Sequence, residues 1–203
     1  MSPIPQTLAG IPHLEWAWDL VGAVRELMAS AATSTAPVED AREARALIER
    51  ATVLLGERAA RLPRPRPISG LADRAASGGV DVTIFPLNPQ QVSLDVRIEG
   101  RTCSSAFTPR ALHEGPPGYL HGGISASVLD TILGYLISAQ GVVAFTHSLS
   151  VRYLRPTRLD VPLTVHGRIT DLQGRKATAL GWVEQEGVRT VEAEGFFVEP
   201  RNP

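Results

Sequence analysis

The chain has 203 residues, 43% of them hydrophobic, and a formal net charge of -1 at pH 7. That suits one domain of ordinary size with room for an appendage, and without a basic stripe it argues against a nucleic-acid partner. A single cysteine, Cys103, excludes an internal disulfide and any multi-cysteine metal site.

In chain order, the opening Met1-Ser2-Pro3-Ile4-Pro5 lacks the charged start and apolar run of a secretory leader, so a cytoplasmic location is expected. Leu14, Ala17, Trp18, Val21, Val24 and Met28 then recur at helical spacing. Trp16 and Trp18 read as packing residues in preference to a ligand platform. Ser34 to Pro37 is a break and restart, with Thr35 as a cap and Glu39 and Asp40 suited to a helix start. Ala44, Leu47, Ile48, Ala51, Leu54 and Leu55 carry a second helix. The alternate prolines of Pro63-Arg64-Pro65-Arg66-Pro67 end it in an extended linker. Two units are therefore expected: a helical extension with its linker over 1–67, and a main domain over 68–203.

From about Val80 the apolar period changes to two. Val92, Leu94, Val96 and Ile98 alternate with polar residues, Glu99-Gly100 reads as a turn, and Arg101 to Phe107 as the return strand. A loop rich in Pro and Gly spans Pro109 to Gly118. An apolar helix follows from about Gly122 to Ala139, stopped by Gly141. Four further strands are predicted over 143–154, 162–171, 175–184 and 188–198, with turns at Gln173-Gly174 and Glu186-Gly187. One long helix between a hairpin and a meander predicts an α+β fold with an antiparallel sheet.

Within the apolar helix one residue stands out. Asp130 is the only charge between Ile124 and Phe145, and burying an unpaired carboxylate costs several kcal/mol. Just upstream, His121-Gly122-Gly123 leaves backbone N–H groups open at a helix start, where negative charge is favoured. A carboxylate acting as base and amides holding an oxyanion are the two halves of a hydrolytic site. The competing reading makes Asp130 a structural brace. On a helical wheel Gly123, Ala126, Ser127, Leu133, Gly134 and Ile137 share the aspartate's side. Ile124, Val128, Ile132, Tyr135 and Leu136 form the expected core face.

The run Gly118-Tyr119-Leu120-His121-Gly122-Gly123, with Asp130 seven residues after the last glycine, resembles the signature of hotdog-fold acyl-CoA thioesterases. So do Tyr153-Leu154-Arg155-Pro156 on the next strand and the Gly174-Arg175-Lys176 turn. The likeness covers about Glu114 to Val198, with weaker support from Leu71. It departs from the phenylacetyl-CoA thioesterase branch at Gly115, where that branch usually has Asn, and is closer to the branch whose functional trio corresponds to His121, Asp130 and Thr146. The helical first third has no counterpart within the resemblance.

The resemblance implies hydrolysis of a thioester to an acid and coenzyme A. Asp130 would be general base or nucleophile, the Gly122-Gly123 turn the oxyanion site, Thr146 an orienting hydroxyl, and His121 an assistant or a brace. At 1.5 Å per residue Asp130 lies about 10 Å from Gly123 along the helix. One thioester carbon does not easily meet both within a chain. The resemblance therefore also implies a two-fold homodimer, or a dimer of dimers, that pairs one chain's turn with the other's acid. Arg152, Arg155, Arg158, Arg175 and Lys176 are candidates for the phosphates of coenzyme A, or else ordinary strand-edge charge.

No bound cofactor, metal, nucleic acid or membrane span is expected. The histidines lack metal-ligand spacing, no phosphate loop is present, and Asp130 interrupts the most apolar stretch. Two alternatives stay open: a non-catalytic module binding acyl-CoA or an acyl carrier, and a hydratase on the same fold.

Overall fold

The computed structural model describes residues 15–56, 71–76 and 78–201. The proline linker of 63–67 and His13 lie outside the described residues.

The helical period of the first third becomes two helices, α1 (Glu15–Thr33) and α2 (Val38–Gly56), broken at 34–37. The next described element is a short helix, α3 (Leu71–Ala76), which no periodicity in the sequence marks. Its one fully buried residue, Leu71, joins the core of the domain that follows.

That domain is an antiparallel sheet of seven strands: β1 (Val80–Ile84), β2 (Leu94–Glu99), β3 (Thr102–Phe107), β4 (Phe145–Tyr153), β5 (Leu163–Gln173), β6 (Lys176–Gln185) and β7 (Val188–Val198). The spatial order is β1-β2-β3-β5-β6-β7-β4. The long helix α4 (Gly122–Ser138) separates β3 from β4 in sequence, and it packs against β3, β4, β5, β6 and β7. This is the α+β arrangement expected, an antiparallel sheet wrapped around one central helix. All three predicted hairpin turns fall between the paired strands. On β2 the alternation is clean, with Leu94, Val96 and Ile98 buried and Asp95 and Glu99 exposed.

The rotation of α4 differs from the helical-wheel reading. Its buried residues are Ser125, Val128, Leu129, Ile132, Leu133, Leu136 and Ile137, whereas Ile124 and Tyr135 are only partly covered. Leu133 and Ile137 therefore belong to the core and not to the open face beside Asp130. Glycines on the sheet explain the rotation. A Cβ on Gly167 would lie 2.9 Å from Leu133 Cδ2, and one on Gly181 would lie 3.0 Å from Leu129 Cδ2. The missing side chains leave notches that draw the helix in by those two leucines.

Cys103, on β3, lies in the same layer and is buried. Desolvation pushes its thiol up to about 12, so the thiolate needed for reactivity is suppressed.

Helix α1 lies against the turn at Ala111–His113, and its Arg25 reaches the segment between β1 and β2. Arg25 Nη2 donates to the carbonyls of Phe85 at 3.0 Å and Asn88 at 2.8 Å, in the segment between β1 and β2. The guanidinium carbon lies 6.0 Å from the centroid of the Trp18 ring. Trp18 thus packs, as expected, while Trp16 is exposed.

Candidate active site

The start of α4 is built from its own loop. His121 has extended backbone and caps the helix, its ring Nδ1 accepting from the Gly123 N–H at 2.9 Å. Its carbonyl accepts from Ile124 N at 2.9 Å. An imidazole here does the work usually given to Ser or Asp at the first turn. The loop behind it is tight. His121 N donates to the His113 carbonyl at 2.8 Å, and Gly115 N to the Tyr119 carbonyl at 2.9 Å.

Gly115 is where this chain departs from the asparagine-bearing branch, and packing accounts for it. A Cβ there would stand 2.8 Å from His121 Cα and 3.1 Å from its Cβ. An asparagine would have to displace the backbone of the turn.

Two turns along α4, Asp130 is partly buried, and its Oδ1 accepts from the Thr146 hydroxyl at 2.7 Å. The carboxylate of the apolar segment thus has a partner, one that stands on β4. A bulge provides it. The β4–β7 register runs Thr146↔Phe197 and then Ser148↔Phe196, leaving His147 as the extra residue. Leu149 and Val151 pack against the core, so strict alternation would bring His147, not Thr146, to the helix side. One inserted residue re-aims the strand and delivers the threonine. His147 instead meets the Phe196 ring edge-on at 5.6 Å.

The five candidate cations do not converge within the chain. Arg152 lies opposite Glu192, while Lys176 lies opposite Val198 at the Phe145 end of the sheet. The two groups are about 20 Å apart along the strands. Arg152 pairs with Glu192 at 2.6 Å, Arg158 with Glu186, and Arg175 donates to the Glu199 carbonyl.

Two features escaped the sequence reading. Tyr153 closes β4 with its hydroxyl donating to the Gly122 carbonyl at 2.9 Å, a contact across 31 residues of sequence. A small recess also flanks Asp130's helix, bounded by Phe85, Gln91, Val92, Ile124, Ser127 and Thr131. Its α4 lining follows the i, i+3, i+4, i+7 stripe of one helix face, which a wheel contains. Its far wall comes from the β1–β2 segment, which no local pattern ties to α4. Among the described residues, no group of three or more His, Cys, Asp or Glu is placed to hold a metal ion. No described helix is long and apolar enough to cross a membrane.

An antiparallel sheet wrapped around one long helix, with a glycine turn at the helix start and a carboxylate midway along it, is the arrangement of a hotdog domain. Comparison with known proteins agrees: residues 117–192 match the family model of the thioesterase superfamily. Acyl-coenzyme A thioesterase THEM4 from Mus musculus is 30% identical over 112 residues, 53% of this chain and 47% of the relative. The Bos taurus protein is 32% identical over 88 residues, 42% of this chain and 36% of the relative. The chain thus spans less than half the length of these curated relatives. A solved thioesterase superfamily protein superposes with a TM-score of 0.73 at 29% identity, covering 90% of both chains. That is more of this chain than residues 68–203 supply, so the helical first third does have a counterpart. A Streptococcus mutans protein solved with acetyl-CoA shares the fold, with a TM-score of 0.51, 19% identity, and coverage of 53% of this chain and 88% of that one.

Proposed function

We propose that the protein is an acyl-CoA thioesterase, releasing a free acid and coenzyme A. The observation that carries the proposal is the Thr146–Asp130 hydrogen bond at 2.7 Å. It joins two residues distant in sequence into a carboxylate–hydroxyl pair on the partly open side of α4. The curated acyl-CoA thioesterases, at about 30% identity over the matched segment, support the same reading.

Asp130 activates the attacking water as general base, or attacks the thioester carbon itself as nucleophile. Thr146 donates to one carboxylate oxygen and keeps lone pairs with which to orient that water. The carbonyl oxygen of the thioester lies at the start of α4, where the helix dipole and the backbone N–H groups of Gly122 and Gly123 oppose its growing negative charge. The Gly123 N–H is held by His121 Nδ1, so the substrate oxygen takes over that donor as the ring turns away. Exchanging one hydrogen bond for another changes the free energy by only about 1 kcal/mol, and His121 is exposed enough to move.

The site is completed by a second copy of the chain, whose turn meets this chain's Asp130. The edge strand β4, with Phe145, Tyr153 and the following Leu154 exposed, favours such a pairing. In a two-fold dimer the two separated cation groups also have a route to one coenzyme A. Residues 1–67 form an extension to the catalytic domain of 68–203.

The test is a thiol-release screen over short, long and aryl acyl-CoAs, with Asp130→Ala as the blank. Release by the native chain and none by the variant is expected. Water added across an unsaturated acyl-CoA without thiol release would make the protein a hydratase, and binding without turnover would make it a sensor. Light scattering should read a dimer; an active monomer would overturn the shared site.

A further inference from the structure

The peptide group between Gly122 and Gly123 is held at both ends. Its carbonyl oxygen accepts from the Tyr153 hydroxyl at 2.9 Å, and its N–H donates to His121 Nδ1 at 2.9 Å. Gly122 makes the first contact possible, since a Cβ there would stand 3.0 Å from Cε1 and Cζ of the tyrosine ring. The hydroxyl end of the ring thus lies close against the helix start. Tyr153 ends the strand that carries Thr146 near its beginning, so β4 touches both of the groups that this chain contributes to the shared sites.

We infer that Tyr153 is a positioning residue for the oxyanion donor: its hydroxyl orients the Gly122–Gly123 peptide and strengthens the N–H at the opposite end. This rests on the reading of Gly123 N–H as that donor. The amide is one planar resonance unit, so the direction of its carbonyl fixes the direction of its N–H. A hydrogen bond to the carbonyl oxygen draws electron density from nitrogen and makes the N–H more acidic, the cooperative effect seen in hydrogen-bonded chains. When the substrate carbonyl displaces the His121 ring, the tyrosine contact stays in place. The peptide plane therefore keeps its aim through the exchange.

Tyr153→Phe keeps the ring on Gly122 and removes only the hydroxyl. With an acyl-CoA that the native chain hydrolyses, kcat should fall about tenfold with KM nearly unchanged, as for an interaction stronger in the transition state. The thermal midpoint should not move. A second measurement reads the donor directly. The infrared carbonyl band of an acyl-CoA bound to Asp130→Asn should lie below that of the free thioester. In Asp130→Asn/Tyr153→Phe it should move back toward the free value. An unchanged kcat in Tyr153→Phe, a loss confined to KM, or a carbonyl band identical in the two backgrounds would overturn the inference. A native chain that hydrolyses no thioester fails the functional reading itself; an active one indifferent to Tyr153→Phe fails this inference alone.

Discussion

Helices α2 and α4 have nearly the same length, 19 and 17 residues, and both carry apolar side chains at helical spacing, yet α4 buries seven residues and α2 none. Leu47, Ile48, Leu54 and Leu55 on α2 are all exposed. The difference is one of surroundings. The sheet curls around α4 and offers it glycine notches, whereas among the described residues nothing buries a side chain of α2. A periodic apolar stripe says that a segment is helical and suited to a surface; it does not say that the chain supplies one. Helix α1 stands between the two, partly covered and fastened by the polar clamp of Arg25 on Phe85 and Asn88.

The sharpest way to test that contrast is to remove function from α4. Asp130→Asn keeps the shape and the Thr146 contact but removes the charge. It should lower kcat on the order of 10²- to 10⁴-fold, the range of general-base catalysis. Steady-state thiol release reads this, and a variant with native activity would return Asp130 to a structural role. Next in size is Leu133→Ala, which empties the Gly167 notch and should cost about 2–5 kcal/mol in denaturant unfolding.

Arg25→Met comes third. It removes the hydrogen bonds to the Phe85, Pro86 and Asn88 carbonyls, made by a guanidinium whose Nε is buried without a partner. A loss of about 1–3 kcal/mol is expected; no loss would mean that α1 docks on apolar contact alone. Fourth is a pH effect in the loop that leads to the site. Burial lowers the pKa of His113 below its ordinary 6.5, so the folded chain prefers the neutral ring. The unfolded chain then binds the proton more readily. The stabilisation is present above about pH 6.5 and is lost as pH falls through the lower, folded value. Unfolding of His113→Gln measured between pH 5 and 7 should show a flatter dependence than the native chain. The smallest effect is expected at Leu54→Ala on α2, within about 0.5 kcal/mol. A cost as large as that of Leu133→Ala would show that α2 is covered in the assembled protein.

Much of this was legible in the residues because it depends on neighbours in sequence. The strands from Leu94 to Val198, the three hairpin turns, the ends of α4 and the break between α1 and α2 all follow from local period and punctuation. The isolation of Asp130 and the glycine turn seven residues before it also survive as pure spacing. The short helix α3 went unread because six residues are too few for a period to declare itself. The rotation of α4 is not encoded in its own period, because glycines on two strands, Gly167 and Gly181, set it.

The residue pattern by itself determined the alternation that builds the sheet, the helix that crosses it, and the presence of a carboxylate and a glycine turn on that helix. Only the tertiary structure decided how those groups are held. One bulged residue in β4 puts Thr146, and not His147, beside Asp130. The missing Cβ of Gly115 lets the loop close on His121, and that of Gly122 lets Tyr153 reach the turn. Each of these depends on an approach of 3 Å or so, and for Thr146 and Tyr153 the approach is between segments distant in the chain. Such contacts are set by the packing of the whole domain, and no local periodicity encodes them.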